Sequence, residues 1–195
     1  MQQATPSRRE LNRLQTADAI HVAAVTLVLR DGLAGATVDA IADRAGVSRR
    51  TLFNYFPTKE DAVLATRPPK LSAHDIAAFE SSTEDAFGRA VRLMTAAVRS
   101  AFHDLPSFAT KRSHLLKLHP ELRARVEQNV RDAETLVLET LRERDPATSS
   151  LPLVMIAGTV MRFAFAPAAD GSIDDSPETI DAAIDQFRAA LTAVL

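Results

Sequence analysis

Two short helix-forming segments joined by the tight sequence A-G-V-S at residues 45–48 constrain this 195-residue chain more than any other feature. Thr37 offers a hydroxyl that caps the first segment, and Gly46 supplies the left-handed conformation that ends it. Ser48 can cap the second segment, and Pro57 ends it by forcing the preceding residue out of helical conformation. Isolated helices of about two turns are unstable in water, so both segments must pack against another helix. The pattern predicts a helix-turn-helix.

Apolar and polar residues divide cleanly between two faces of this predicted motif. The inward positions, which predict a common core, are Ile41, Ala42, Val47, Leu52 and Phe56. The outward positions of the second segment are Arg49, Arg50, Phe53 and Asn54, with Thr51 and Tyr55 at the edges. Two guanidinium groups at a helix start suit bases in a major groove, and the hydroxyl and amide groups suit phosphates. The usual alternative for such residues is a solvated surface helix with local caps.

Helix signals recur along the rest of the chain, and no segment shows the sustained period-two alternation of a sheet. The first predicted helix runs from about Arg9 to Arg30 and ends at Asp31-Gly32. Its inward stripe is Leu14, Ala17, Ile20, Ala24, Leu27 and Val28. Later helices are predicted from Thr58 to Pro68, Thr83 to Phe102, Pro106 to Leu118, Pro120 to about Arg144, Leu151 to Ala166, and Ser176 onward. The sequence therefore predicts an all-α protein of about nine helices.

Charge and composition narrow the possible functions. Residues 1–70 hold 10 Lys and Arg against 7 Asp and Glu, whereas residues 71–195 hold 13 against 18. A mildly basic head on an acidic body fits a phosphate-binding module attached to another domain. The absence of cysteine excludes disulfides, a thiolate nucleophile and Cys-ligated metals. No apolar run follows the basic residues near the start, so a cytoplasmic location is expected.

The segment at residues 37–64, T-V-D-A-I-A-D-R-A-G-V-S-R-R-T-L-F-N-Y-F-P-T-K-E-D-A-V-L, resembles the DNA-binding segment of the tetracycline-repressor (TetR) family. The resemblance implies an all-helical homodimer whose three N-terminal helices bind DNA. It also implies a larger helical domain that binds a small molecule, which releases the DNA. The matching domains would be a helix-turn-helix domain at 9–56, a connecting helix at 57–70, and a ligand-binding and dimerisation domain at 71–195. The end of the segment is also similar to a subgroup with an acyl-CoA-like ligand domain.

The resemblance also suggests roles for individual residues. Phosphate contacts are implied at Thr37, Thr51, Tyr55 and Lys59, and base reading is implied at Arg49 and Arg50. The predicted DNA-binding set is Thr37, Ser48, Arg49, Arg50, Thr51, Asn54, Tyr55 and Lys59. Phe53 and Asn54 occupy places that vary within the family.

The apolar run from Leu151 to Ala166 is too short for a membrane span and contains Arg162. A helix that is apolar all round must be covered on every side, which favours a partner subunit. Ala157-Gly158 would allow close approach, and the final helix could complete a four-helix bundle with its symmetry mate. The alternative is a central core helix within one chain. Two-fold symmetry would place two recognition helices about 34 Å apart, in successive major grooves.

Aromatic, methionine and basic residues of the body could line an effector cavity. The predicted ligand-binding set is Phe87, Met94, Phe102, Phe108, Arg112, Met155, Arg162 and Phe163, with His114 as a further possible polar anchor. His103, His114, His119 and Glu121 invite a metal or acid–base interpretation. His114 and His119 are five residues apart, however, and so do not share one helical face, and no catalytic motif accompanies them. We therefore expect no enzymatic activity, cofactor or metal.

The sequence thus predicts a ligand-responsive, dimeric repressor that binds a palindromic operator and is released by a small apolar or amphipathic effector. The alternatives are an activator of the same fold and a helical small-molecule-binding protein without a DNA role. The operator, the regulated genes and the effector's identity are not predicted.

Overall fold

The computed structural model describes residues 7–102, 112–147, 150–164 and 177–194. Within these ranges the chain forms ten α-helices, one 3-10 helix at Pro120–Leu122 and no β-strand, which confirms the all-α prediction. The helices are α1 (Arg8–Gly35), α2 (Val38–Ala45), α3 (Arg49–Tyr55), α4 (Lys59–Leu64), α5 (Ala73–Ser81), α6 (Ala86–Ser100), α7 (Arg112–Leu118), α8 (Arg123–Arg144), α9 (Leu151–Ala164) and α10 (Pro177–Val194).

The described residues form two compact units. The first unit comprises those within Met1–Arg67 and Phe102–Arg125, and the second comprises those within Pro68–Ala101 and Val126–Leu195. The first unit therefore includes α7 and the first turn of α8, which follow residues 1–70 in sequence. The functional division at residues 56 and 70 stays a prediction.

Helix α1 forms the centre of the first unit and packs against α2 and α4. Five of its six predicted inward residues are buried: Ala17, Ile20, Ala24, Leu27 and Val28. The prediction for Leu14 is wrong, because this residue is 42% exposed. The side chains described in the first turns of α1 are all exposed, so this end extends beyond the helices that cover the rest. Gly32 has the left-handed φ of 74°, so the predicted helix end is a kink before one further turn to Gly35.

Three other helix boundaries differ from the prediction. Helix α4 ends at Leu64, because Ala65 is left-handed with φ 49° and its N–H bonds back to the Asp61 carbonyl. The prolines further on therefore follow a helix that has already ended. Pro120 begins the 3-10 helix, and α8 starts only at Arg123. Asp85 rather than Thr83 is the N-cap of α6, where its carboxylate accepts from the Gly88 N–H at 2.8 Å.

Helix α5 was not predicted from the sequence. A capping box starts it, in which the Ser72 hydroxyl accepts from the Asp75 N–H and the Asp75 carboxylate accepts from the Ser72 N–H. Phe79 is its one buried residue among those described. Because the helix buries little apolar surface, its sequence has a weak apolar pattern. Only the S-A-H-D capping signature indicates where the helix begins.

The second unit is built on α6, which packs against α9, and on α9, which packs against α10. Their buried faces include Met94 and Val98 of α6, Val154 and Met161 of α9, and Ile180 and Ile184 of α10. The Thr95 hydroxyl lies 3.0 Å from the Met161 sulfur, inside this core. In the described part of the chain, no helix combines the length and the apolar character required to cross a membrane.

The outer face of α9 is only partly covered by the described residues. Leu151, Met155 and Phe163 are each at least half exposed, whereas Val154, Ala157 and Val160 are buried. Gly158 faces inward, and a Cβ there would clash with the Glu134 carboxylate of α8. The glycine therefore permits close packing within one chain, which is a different role from the predicted approach of a partner.

Candidate DNA-binding surface

Local hydrogen bonds fix both ends of α2. The Thr37 hydroxyl accepts from the Ala40 N–H at 3.2 Å, which is the predicted N-cap. Gly46 is left-handed with φ 69°, and its N–H bonds to the carbonyls of Ala42 and Asp43. Since only glycine adopts this conformation without strain, the chain can reverse within two residues and begin α3.

The same devices fix α3 on a buried core. The Ser48 hydroxyl accepts from the Thr51 N–H at 3.0 Å. Leu52 and Phe56 are fully buried, and the Phe56 N–H bonds to the Leu52 carbonyl as the chain leaves the helix. Ile41 and Ala42 of α2 are also buried, so the predicted inward residues form the core, with Val47 half-buried beside them. A helix of only seven residues is thereby held by caps at its start and packing along its length.

The other side of α3 is open. Arg49, Arg50, Phe53 and Asn54 are exposed, and Thr51 and Tyr55 are half-buried at its edges. The hydroxyls of Ser48 and Thr51 lie 2.9 Å apart, so each is engaged locally in the free protein. The structure thus brings six of the eight predicted DNA-binding residues onto one short helix and its cap.

The two arginines at the start of α3 differ in their surroundings. The Arg49 Nη1 lies 3.1 Å from Oδ1 and 3.2 Å from Oδ2 of Asp39, in the first turn of α2. Arg50 has no ion pair or hydrogen bond from its side chain among the described residues. Sequence reasoning missed the contribution of Asp39, although its acidic side chain was visible in the first turn of α2.

The two other predicted DNA-binding residues, Lys59 and Thr37, lie at the starts of α4 and α2. The Lys59 Nζ donates to the Leu33 carbonyl at 2.7 Å, which ties the start of α4 to the last turn of α1. An ammonium group has three donors, so this bond leaves two for a phosphate. Thr37 is exposed, and its hydroxyl proton is not used by the capping bond that its oxygen accepts.

A buried carboxylate connects α4 with α8. Asp61 is fully buried and accepts from the Thr58 N–H at 3.1 Å, the Thr58 hydroxyl at 2.8 Å and the Thr66 hydroxyl at 2.8 Å. The Arg125 Nε donates to the same carboxylate at 2.7 Å. The sequence predicts that the helix begins at Thr58, but nothing in the sequence pairs Asp61 with a residue 64 positions away.

A buried histidine connects α1 with α4. The ring of His21 is 1% exposed, and its Nδ1 lies 2.9 Å from the Ala62 carbonyl. A carbonyl can only accept, so Nδ1 carries the proton in this contact. Sequence reasoning did not single out His21, because a lone histidine between apolar residues carries no signal of its partner.

The described members of the predicted ligand-binding set belong to both units. Met94 is buried in the second unit, Phe87 lies 5.8 Å from the Arg188 guanidinium, and Phe102 lies in the first unit beside Ala65. On the outer face of α9, Phe163 packs edge-on against Phe187 with centroids 5.7 Å apart. Arg162 pairs with Glu134 at 3.2 Å, and Met155 is exposed. Phe108 and the side chain of Arg112 lie outside the described residues. Contact of any of these residues with a ligand stays a prediction.

Asn129 of α8 is a buried polar residue that sequence reasoning missed. Its side chain is 3% exposed, yet neither Oδ1 nor Nδ2 has a hydrogen-bond partner among the described residues. A buried amide without partners is unusual in a folded protein. Its position four residues before the buried Ala133, on the inward face of α8, is the signal that could have found it.

The second unit contains a surface cavity of about 490 Å³ between α5 and α6. Its walls include His74, Phe79, Glu84, Arg89 and Arg92. Arg89 lies over the Phe79 ring at 5.0 Å and forms an ion pair with Asp145, while Arg92 pairs with Glu84 at 3.1 Å. None of the predicted ligand-binding residues lines this cavity.

The histidine cluster considered from the sequence is only partly described. His119 Nδ1 lies 3.3 Å from Glu121 Oε1. The Glu121 backbone N–H, and then His119, lower the pKa of this carboxyl. His103 and the side chain of His114 lie outside the described residues. Within the described ranges, no three His, Asp or Glu side chains cluster as a metal site would require.

Two comparisons with known proteins bear on this surface. The family described as "Bacterial regulatory proteins, tetR family" matches residues 20–66, which span α2, α3, α4 and most of α1. The chain is also 28% identical over 176 residues to the HTH-type transcriptional regulator EthR of Mycolicibacterium smegmatis. That similarity covers 85% of this chain and 81% of the relative.

Proposed function

We propose that this chain, which belongs to the TetR family of bacterial regulators, is a repressor that binds a palindromic operator as a homodimer and is released by a small effector. The coarser statement, that it is a DNA-binding transcriptional regulator, follows from its family. The repressor role, the dimer and the effector are our proposal, and so are the DNA contacts of individual residues.

The exposed face of α3 carries the proposal. Arg49 and Arg50 stand on the first turn of a helix whose other side is buried through Leu52. Such a helix can enter a major groove without unfolding its core, and its first residues then reach the base edges. The flanking phosphates would be bound by polar side chains around these arginines. They are Thr51 and Tyr55 at the edges of α3, Asn54 on its exposed side, the caps Ser48 and Thr37, and Lys59 at the start of α4.

The outer face of α9 supports a homodimer. Leu151 and Met155 are each 54% exposed and Phe163 is 50% exposed, on a helix whose other face is core. Large apolar side chains grouped on one helix face favour association, because burying them removes apolar surface from water. A second copy of the chain, related by a two-fold axis, would cover the same face on both subunits.

The buried amide of Asn129, which has no hydrogen-bond partner among the described residues, supports an amphipathic effector. Buried amides require a hydrogen-bond partner, and a ligand that offers both a donor and an acceptor would satisfy the side chain. Apolar core residues on the same helix, Ala133 and Val137, would contact the rest of such a ligand. A ligand that prefers one spacing of the two α3 helices would release DNA by shifting the population of conformers.

The decisive experiment selects duplexes from a random pool with the full-length protein and measures their affinities. We expect a palindromic site, and we expect the variant with Arg49→Ala and Arg50→Ala to bind it at least about 100-fold more weakly. The control variant, with Arg123→Ala and Arg142→Ala, removes two exposed arginines from α8 and should bind normally. Equal affinity of both variants for the selected site would contradict the proposal.

A further inference from the structure

We propose that Asp39 is a positioning residue that holds Arg49 in the orientation required to read a guanine. This inference rests on the proposed function, since it assigns a specificity role within the same surface. Asp39 itself need not touch the DNA.

The contact joins two helices that are each fixed at their start. Asp39 lies in the first turn of α2 behind the Thr37 cap, and Arg49 is the first residue of α3 behind the Ser48 cap. The single nitrogen Nη1 lies between both carboxylate oxygens, at 3.1 Å and 3.2 Å. The carboxylate therefore anchors one end of the Arg49 guanidinium group, at the capped start of α3.

This arrangement leaves the complementary edge of Arg49 available. Its Nε and Nη2 have no partner among the described residues. Two parallel N–H donors on one edge match the O6 and N7 acceptors of guanine in the major groove. Adenine presents a donor in place of O6, so an arginine held in this way discriminates between the two purines.

The contact between Arg49 and Asp39 is too exposed to contribute much to the stability of the fold. The side chains of Arg49 and Asp39 are 61% and 63% exposed, and ion pairs of this kind contribute little to stability. A restrained arginine, in contrast, loses less rotamer freedom when it binds a base. The carboxylate also opposes a phosphate near Arg49, so it favours base contact over backbone contact.

Arg50 and Asp43 provide internal comparisons. Arg50 follows Arg49 on α3 and has no carboxylate beside it among the described residues. Asp43 lies one turn after Asp39 on α2, is exposed and has no side-chain partner among the described residues. Replacing Asp43 therefore changes the charge of α2 as replacing Asp39 does, but it leaves the contact of Arg49 intact.

The test determines base preferences by selection and sequencing for the full-length wild type, Arg49→Ala, Asp39→Ala and Asp43→Ala. The guanine read by Arg49 is the one whose preference is lost in Arg49→Ala. We expect Asp39→Ala to reduce that preference by about tenfold, while its affinity for unrelated duplexes stays equal or rises. Asp43→Ala should keep the preference, and Asp39→Asn should keep part of it, because an amide oxygen still accepts from Nη1.

Three outcomes would overturn the inference. If Arg49→Ala keeps every base preference, Arg49 reads no base. If Asp39→Ala and Asp43→Ala raise all affinities equally with unchanged preferences, Asp39 only repels DNA. If the wild type selects no duplex, the proposed function itself fails, and this result is distinct from the other two. Circular dichroism of Asp39→Ala checks that α2 has kept its fold.

Discussion

Two buried polar residues of the second unit, Thr95 and Asn129, differ in whether their side chains have hydrogen-bond partners among the described residues. The Thr95 hydroxyl donates to the Val91 carbonyl at 2.8 Å and lies against the Met161 sulfur. The amide of Asn129 has neither a donor nor an acceptor among the described residues. A polar group that is buried and satisfied contributes to stability, whereas one without partners costs about 1–3 kcal/mol.

Asn129→Leu should therefore raise the free energy of unfolding by about 1 kcal/mol in the absence of effector, because a side chain of similar volume replaces an unpaired amide. Thr95→Val is the matched control and should lower that free energy, since it removes a bonded hydroxyl. Urea unfolding followed by circular dichroism measures both. A loss of more than about 1 kcal/mol in Asn129→Leu would mean that the amide is satisfied in solution.

At the residue scale, the sequence predicts whether a side chain is buried or exposed better than it predicts which side chain it contacts. The exposure of Arg49 and Arg50 and the burial of Leu52 and Phe56 follow from helical spacing, which is a local property. The contact between Arg49 and Asp39 depends on how two helices meet. The ligand-binding set stays a prediction, because chemical type alone does not say which side chains share a cavity.

At the scale of elements, the short helix α4 depends on a residue far away in sequence. The fully buried Asp61 lies in its first turn, with the Thr58 cap on one side and Arg125 of α8 on the other. A buried carboxylate that loses its cation is destabilising, because the remaining charge stays out of water. The position of α4 thus depends on the first turn of α8.

Arg125→Met should lower the free energy of unfolding by about 3 kcal/mol, since it leaves the Asp61 carboxylate buried without its cation. The double variant with Asp61→Asn should regain most of this loss, because the amide carries no charge to desolvate. Urea unfolding of the two single variants and the double variant gives the coupling energy. A change below about 0.5 kcal/mol in Arg125→Met would indicate that the pair contributes nothing.

Capping signals predict the starts of α2, α3 and α4 but misplace the start of α6. Thr37, Ser48 and Thr58 each begin a helix where the sequence placed a cap. The missed helix α5 also has a capping box, at Ser72, but its short and mostly exposed face gave no apolar pattern. The left-handed Ala65 that ends α4 early has no sequence signal, because alanine normally continues a helix.

For the whole molecule, the proposed function requires two copies of the chain on one duplex. In the proposed complex a single seven-residue helix would contact one major groove, and its affinity for one half-site should be modest. Joining two such helices through the α9 face makes the second contact intramolecular, which raises affinity by about 100-fold or more. Disrupting that face should therefore weaken binding to a palindrome without weakening binding to a half-site.

The most direct measurement compares the affinity and stoichiometry of the full-length protein on the selected palindrome and on one half-site. We predict two chains per palindrome, and about a 100-fold loss of palindrome affinity in Met155→Asp with the half-site affinity unchanged. Ala77→Asp, an exposed charge on α5, is the control and should behave as the wild type. A single chain per palindrome, or equal wild-type affinity for the palindrome and the half-site, would contradict the account.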